Sequence, residues 1–208
     1  MTRFAPLTLA VALVLGACSD TVTQPQFLEA PEEALEDRAP APGTDPIAAI
    51  ATEAGFDELV GALIYVDEEL DTGLVDLFLN GTDQFTVFAP TNEAFEDLYG
   101  LLSAVLDAEI DGITDVPAEV VLDVLLYHVA EGRRAANSVL PRRGIRTITP
   151  LLGETFQVRT DGTIRDGLTG LRDDAAIVAA DISASNGIIH VIDGVIVPPS
   201  IVAALTGS

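Results

Sequence analysis

Asn186-Gly187-Ile188-Ile189-His190-Val191-Ile192-Asp193-Gly194-Val195-Ile196-Val197-Pro198-Pro199 lies near the C-terminal end of a 208-residue chain. Asn-Gly is the strongest two-residue hairpin signal, because both positions tolerate positive φ, and the β-branched residues that follow suit a pleated, half-buried surface. The segment reads as a tight turn followed by a strand. Alternation sets Ile188, His190 and Ile192 on one face and Ile189, Val191 and Asp193 on the other. Both faces are largely apolar and both need cover, which places the strand inside a sheet and not at its edge.

Upstream of this segment, Phe156 and Val158 alternate with Gln157 and Arg159, Asp161-Gly162 makes a hairpin turn, and residues 175–182 form the strand that enters Asn186-Gly187. Residues 85–89 read as a buried strand ended by Pro90. Thr91 or Asn92 then caps a helix that carries Glu93 in its first turn and packs through Phe95 and Leu98. Asp45-Pro46 predicts a helix start with Asp45 as cap, followed by Ile47, Ile50, Ala51 and Ala54 at helical spacing up to Gly55. Leu59, Val60, Leu63 and Ile64 predict the inner face of a second helix, and residues 74–79 a short third one. The longest amphipathic helix is expected over 117–130, with Val121, Val124, Leu125 and His128 at i, i+3, i+4 and i+7. Helices dominate the first half and strands the second, the order of an α+β domain.

Three of these stretches carry a family resemblance. Phe85-Thr86-Val87-Phe88-Ala89-Pro90-Thr91-Asn92-Glu93-Ala94-Phe95, then Tyr127-His128, then the segment opened by Asn186-Gly187 resemble, in that order, the motifs of the fasciclin (FAS1) domain. The resemblance implies a single domain over residues 45–205, a wedge-shaped β-sandwich flanked by helices packed mostly from the N-terminal half. In animal members the corresponding Tyr-His pair is linked to receptor binding, so the resemblance also implies a ligand contact at Tyr127 and His128. Burial of a packed imidazole is the other reading of His128, since it falls on the apolar side of its helix. The family often has Val-Pro-Gly after its Tyr-His-Val, whereas this chain has Ala130-Glu131-Gly132.

Residues 1–17 combine Arg3, an apolar run too short to span a bilayer, and Leu15-Gly16-Ala17 before Cys18, which reads as a lipoprotein signal peptide. Cys18 is the sole cysteine, so no disulfide forms within the chain, and it is the expected lipidation site. Residues 18–44 alternate proline with acid and hold few large apolar residues, the composition of a solvated linker. These features together predict a protein anchored by lipid in a bacterial cell envelope, at the outer membrane or cell surface. The membrane is reached through the lipid anchor only.

The formal charge is -23, and loss of residues 1–17 removes Arg3 and no acid, making it one unit more negative. Such a surface repels nucleic acid and anionic lipid. Against that background Arg133, Arg134, Arg142, Arg143 and Arg146 hold half of all positive charge, with no acid between Gly132 and Pro150. Guanidinium forks match carboxylate and phosphate oxygens, so this island is a candidate contact for an acidic polysaccharide or a cell-surface protein. Pairing with the domain's own acids is the competing reading. Asp107, Glu109, Asp111 and Asp115, with Gly112 at the sixth position, copy the oxygen spacing of an EF-hand loop and make calcium a candidate ion, although the twelfth position is Ala118. No other cofactor is expected.

Catalytic signals are sparse. Neither a Gly-x-Ser-x-Gly elbow nor a His-Glu-x-x-His motif occurs, His128 and His190 are the only histidines, and alternation separates His190 from Asp193. The expectation is a non-catalytic module for adhesion or matrix contact; an envelope assembly scaffold facing the periplasm and an unrecognised hydrolase are the alternatives.

Overall fold

The computed structural model describes residues 40–206. The expected signal peptide, Cys18 and the linker as far as residue 39 lie outside the described residues. Among the described residues there are seven strands: β1 (Phe85–Pro90), β2 (Val129–Glu131), β3 (Ile145–Ile148), β4 (Phe156–Arg159), β5 (Thr163–Arg165), β6 (Ala175–Ala184) and β7 (Gly187–Ile192). They form one continuous sheet in the order β2-β1-β7-β6-β5-β4-β3. As the sequence predicts, β7 is interior: it pairs parallel with β1 and antiparallel with β6, and every one of its residues is buried.

The sheet turns over at β6. Its first residues pair with β5 and the rest with β7, and the register breaks twice between Ile177 and Ile182, where Asp181 has φ 64°. Such irregularities bend a strand and raise its twist. The far strands thereby face the near ones: the Phe88 ring of β1 meets Phe156 of β4 edge-on at 5.1 Å between centroids. Phe88, Ile192, Val158, Ile164 and Tyr127 fill this sandwich interior. Burying each such side chain contributes roughly 1.5–3 kcal/mol.

Helices α1 (Ile47–Glu53), α2 (Asp57–Leu70), α3 (Leu74–Asn80), α4 (Asn92–Leu106) and α5 (Ala118–Tyr127) cover the opposite face. A second core joins Leu59, Ala62 and Val66 of α2, Phe95 of α4 and Leu125 of α5 to Val87, Ile189 and Val191 of the sheet. Ile189 and Val191 thus face the helices while Ile192 faces the sandwich, which is the division that alternation predicts. The short α6 (Ala136–Val139) and α7 (Pro199–Thr206) carry no period strong enough to be read from sequence.

Several local expectations are corrected. Neither Asn186 nor Gly187 has positive φ. Gly187 is required by space: a Cβ there would lie 2.2 Å from the Phe85 carbonyl oxygen and 2.7 Å from Ile47 Cδ1. Asn186 is required for its amide, whose Oδ1 accepts from Ile47 N–H at 2.8 Å and whose Nδ2 donates to the Phe78 carbonyl at 3.0 Å. The cap of α1 therefore comes from a residue 139 positions away; Pro46 is the N-cap and Asp45 makes no cap bond. Thr91, not Asn92, caps α4 through Ala94 N–H.

The helix expected over 117–130 stops at Tyr127, because Val129 already pairs with Val87 and Phe88 N–H donates to the His128 carbonyl at 2.8 Å. Its last turn is replaced by strand. In α2 the inner face includes Ala62 and Val66, whereas Ile64 is 44% exposed. Residues 40–43 touch the folded part: Gly43 N–H donates to the Ala184 carbonyl at 3.2 Å, and Arg133 holds the carbonyls of Pro40 and Ala41.

Candidate functional site

Residues 195–197 follow β7 outside the sheet, so their backbone groups need partners from elsewhere in the chain. Three side chains supply them. Arg172 Nη2 donates to the Val195 carbonyl at 2.8 Å, Ile196 N–H donates to His128 Nε2 at 3.1 Å, and Val197 N–H donates to Asp166 Oδ2 at 2.8 Å. Arg172 and Asp166 lie 3.7 Å apart, and the Asp166 side chain is nearly inaccessible. Burial raises the Asp166 pKa, with the Val197 bond and the Arg172 charge opposing it.

Of the Tyr127-His128 pair, His128 belongs to this clasp, and both residues are buried. His128 is 2% exposed; its Nδ1 donates to the Val124 carbonyl at 2.7 Å while Nε2 accepts from Ile196. These partners assign the neutral tautomer with hydrogen on Nδ1. Burial pushes its pKa down to about 4, with the Val124 bond opposing and the Arg172 charge assisting. Tyr127 is fully buried, donates to the Thr155 carbonyl at 3.0 Å and packs edge-on to Phe156. Both residues are buried in this structure, whereas the resemblance implies a ligand contact at them.

His190 has the opposite tautomer. Its Nε2 donates to the Arg134 carbonyl at 2.9 Å and its Nδ1 accepts from Asp181 N–H at 3.3 Å. Burial lowers its pKa, opposed by the Arg134 bond. Asp193 lies on the other face of the strand end and accepts from Ala176 N–H at 2.6 Å. Both imidazoles thus have both nitrogens engaged.

The arginine run divides. Arg133 is folded inward, donating to the carbonyls of Ala184, Gly187, Pro40 and Ala41 and to Ser183 Oγ. It is a staple between the start of the domain and the β6–β7 turn, which corrects its placing in the surface island. Arg134 donates to the Glu131 carbonyl and Arg146 to the Ser138 carbonyl, so both are half-buried and held by backbone of their own segment. Arg142 and Arg143 are exposed. The segment carrying them links β2 to β3, the two edges of the sheet.

The acidic loop is arranged around its own backbone. Asp115 Oδ2 accepts from Asp111 N–H at 2.9 Å and Gly112 N–H at 3.2 Å, and Asp107 ends α4 in left-handed geometry with φ 51°. Among the described residues no three of Asp107, Glu109, Asp111 and Asp115 gather into a group that could hold an ion. Asp67, at the end of α2, accepts from Thr72, Leu74 N–H and Val75 N–H and so caps α3.

Sequence reasoning missed the clasp, because Asp166, Arg172 and His128 come from three distant stretches. It also missed an apolar cavity of about 290 Å³ lined by α2, α4, α5, α7 and the loop before α5, with His128 at its wall. Among the described residues no helix is long and apolar enough to cross a membrane.

The family pattern described as Fasciclin domain matches residues 57–198. The chain is 35% identical over 159 residues to Protein sll1483 of Synechocystis sp., covering 75% of this chain and 77% of that protein. It is 31% identical over 162 residues to the cell surface glycolipoprotein MPB83 of Mycobacterium bovis, covering 75% of this chain and 62% of that one. A solved FAS1 domain pair from the insect cell adhesion molecule Fasciclin I aligns at TM-score 0.43 and 18% identity, over 67% of this chain and 45% of that one. The match begins at α2 and runs through β7 and the segment held by the clasp, and the chain belongs to the fasciclin domain family.

Proposed function

We propose that this chain is a lipid-anchored, non-catalytic binding module of the bacterial cell envelope, held through Cys18, that makes adhesive or matrix contact with an acidic polysaccharide or an acidic cell-surface protein. The observation that carries the reading is the exposure of Arg142 and Arg143 on a segment free of acids, in a chain whose formal charge is otherwise strongly negative. An anionic partner is attracted there and repelled elsewhere, which fixes both site and orientation. The engaged nitrogens of both histidines support a role in binding over one in proton transfer. Its likeness to a mycobacterial cell surface glycolipoprotein supports the envelope location.

The test is binding of the chain carrying Cys18→Ser to immobilised alginate across a salt series. The expected result is saturable binding that falls steeply with salt and is lost in Arg142→Glu/Arg143→Glu, whose melting temperature stays within a few degrees of the parent. Binding retained by that variant, or insensitive to salt, overturns the reading.

A further inference from the structure

The cavity beside the clasp is too large to be a packing defect. Protein interiors hold few voids bigger than a water molecule, and an apolar cavity of about 150 Å³ already takes up benzene. At about 290 Å³ this one is nearly twice that size and falls close to the lower end of small-molecule pockets. Its wall is hydrocarbon: Leu98 and Leu102 on α4, Val120 and Val124 on α5, and Ile201 and Leu205 on α7.

Two further observations point to an occupant. Helix α7 is predominantly apolar and touches α4, yet none of its residues is fully buried, and Ile201 and Leu205 face the cavity. Leu106 at the cavity mouth is 43% exposed, as is Val105 beside it. The polar groups in the wall are also accounted for: Tyr99 donates to Glu58 at 2.8 Å, Asp115 accepts from its own loop, and both nitrogens of His128 are engaged. Neither Tyr99 nor His128 offers a free donor to a ligand. Nor does any cationic residue line the cavity, while the Asp115 and Glu58 carboxylates stand at it or directly behind it. A fatty-acid carboxylate or a phosphate head would meet like charge there.

We propose that this cavity is a binding site for a neutral lipid, the hydrocarbon chain entering between α4, α5 and α7 and the uncharged head remaining at the mouth by Leu106. Occupancy completes the burial of α7. The site is distinct from the arginine segment and does not depend on it.

The experiment uses the chain carrying Cys18→Ser, so that its own acyl groups do not compete. Displacement of the neutral dye Nile red is followed with 1-monododecanoylglycerol and, at pH 8, with dodecanoate. Stoichiometric displacement by the glycerol ester, at least tenfold tighter than by dodecanoate, is expected. Leu102→Trp should fill the cavity and reduce affinity at least tenfold, and Val120→Phe provides a second filling variant should the first not fold; either must show a cooperative melt. Equal affinity for ester and anion, unchanged binding in a folded filling variant, or dye uptake that disappears because a second copy covers this face in sedimentation would each overturn the proposal.

Discussion

Replacing Asn186 with alanine separates two accounts of the Asn-Gly step. If Asn186 served only as a turn former, glycine or alanine would be tolerated, since the residue sits at negative φ. In the structure its amide is buried and clips the N-terminus of α1 to the C-terminus of α3 through Ile47 N–H and the Phe78 carbonyl. Asn186→Ala leaves one donor and one acceptor unpaired in a site with little access to water. Each such group costs about 1–3 kcal/mol, so the expected loss is about 2–6 kcal/mol. Against a total of about 5–15 kcal/mol for a domain, that is a large fraction. Urea unfolding followed by circular dichroism should show a lower midpoint with an unchanged slope. Asn186→Asp keeps the acceptor for Ile47 but sets a carboxylate oxygen against the Phe78 carbonyl, and should recover only part of the loss. A cost below about 1 kcal/mol for both Asn186→Ala and Asn186→Gly would refute the clip and restore the simple turn.

Acid should destabilise the fold through its histidines. The folded pKa of His128, about 4, lies below the ordinary 6.5, so the unfolded state binds more protons between those values and stability falls as pH drops through that window. The full span is worth about 3 kcal/mol; His190 shifts in the same direction and adds to it, while Asp166, whose pKa is raised, acts in the opposite direction. Urea midpoints at pH 7.5 and 5 test this, and His128→Gln should flatten the dependence; equal midpoints in the parent would contradict it. Gly187→Ala drives a Cβ to within 2.2 Å of the Phe85 carbonyl oxygen and should lower stability by about 1–3 kcal/mol or more, read from the same urea curves. Arg133→Ala should release residues 40–45, seen as faster amide exchange in that stretch, and Arg133→Lys should not restore protection, because one ammonium cannot span the carbonyls that the guanidinium fork reaches.

Much of the architecture was legible because it rests on local chemistry. Alternation assigned Ile189 and Val191 to one core and Ile192 to the other, and the density of β-branched residues on both faces required β7 to be interior. The Asp161-Gly162 hairpin was readable for the same reason: Gly162 takes φ 87°, which glycine adopts without strain. Where helix period and strand pairing competed, over 117–130, period alone gave the wrong end, since pairing of Val129 with Val87 depends on a strand more than forty residues upstream. For the arginine segment, sequence located the concentration of charge but could not divide it. Arg133 and Arg142 have the same side chain, and only the path of the chain turns one toward the Ala184 carbonyl and leaves the other exposed.

Composition and periodicity by themselves determined the class of fold, the interior strand, the acidic surface and the one basic segment, because each follows from residue type and spacing within a few turns or strands. Tertiary structure alone decided the roles of Asn186, His128, Asp166 and Arg172, and created the cavity under α7. Those depend on side chains separated by tens of residues meeting one extended backbone segment or enclosing one volume. A hydrogen bond acts over about 3 Å; no local pattern records which distant carbonyl will arrive within that reach.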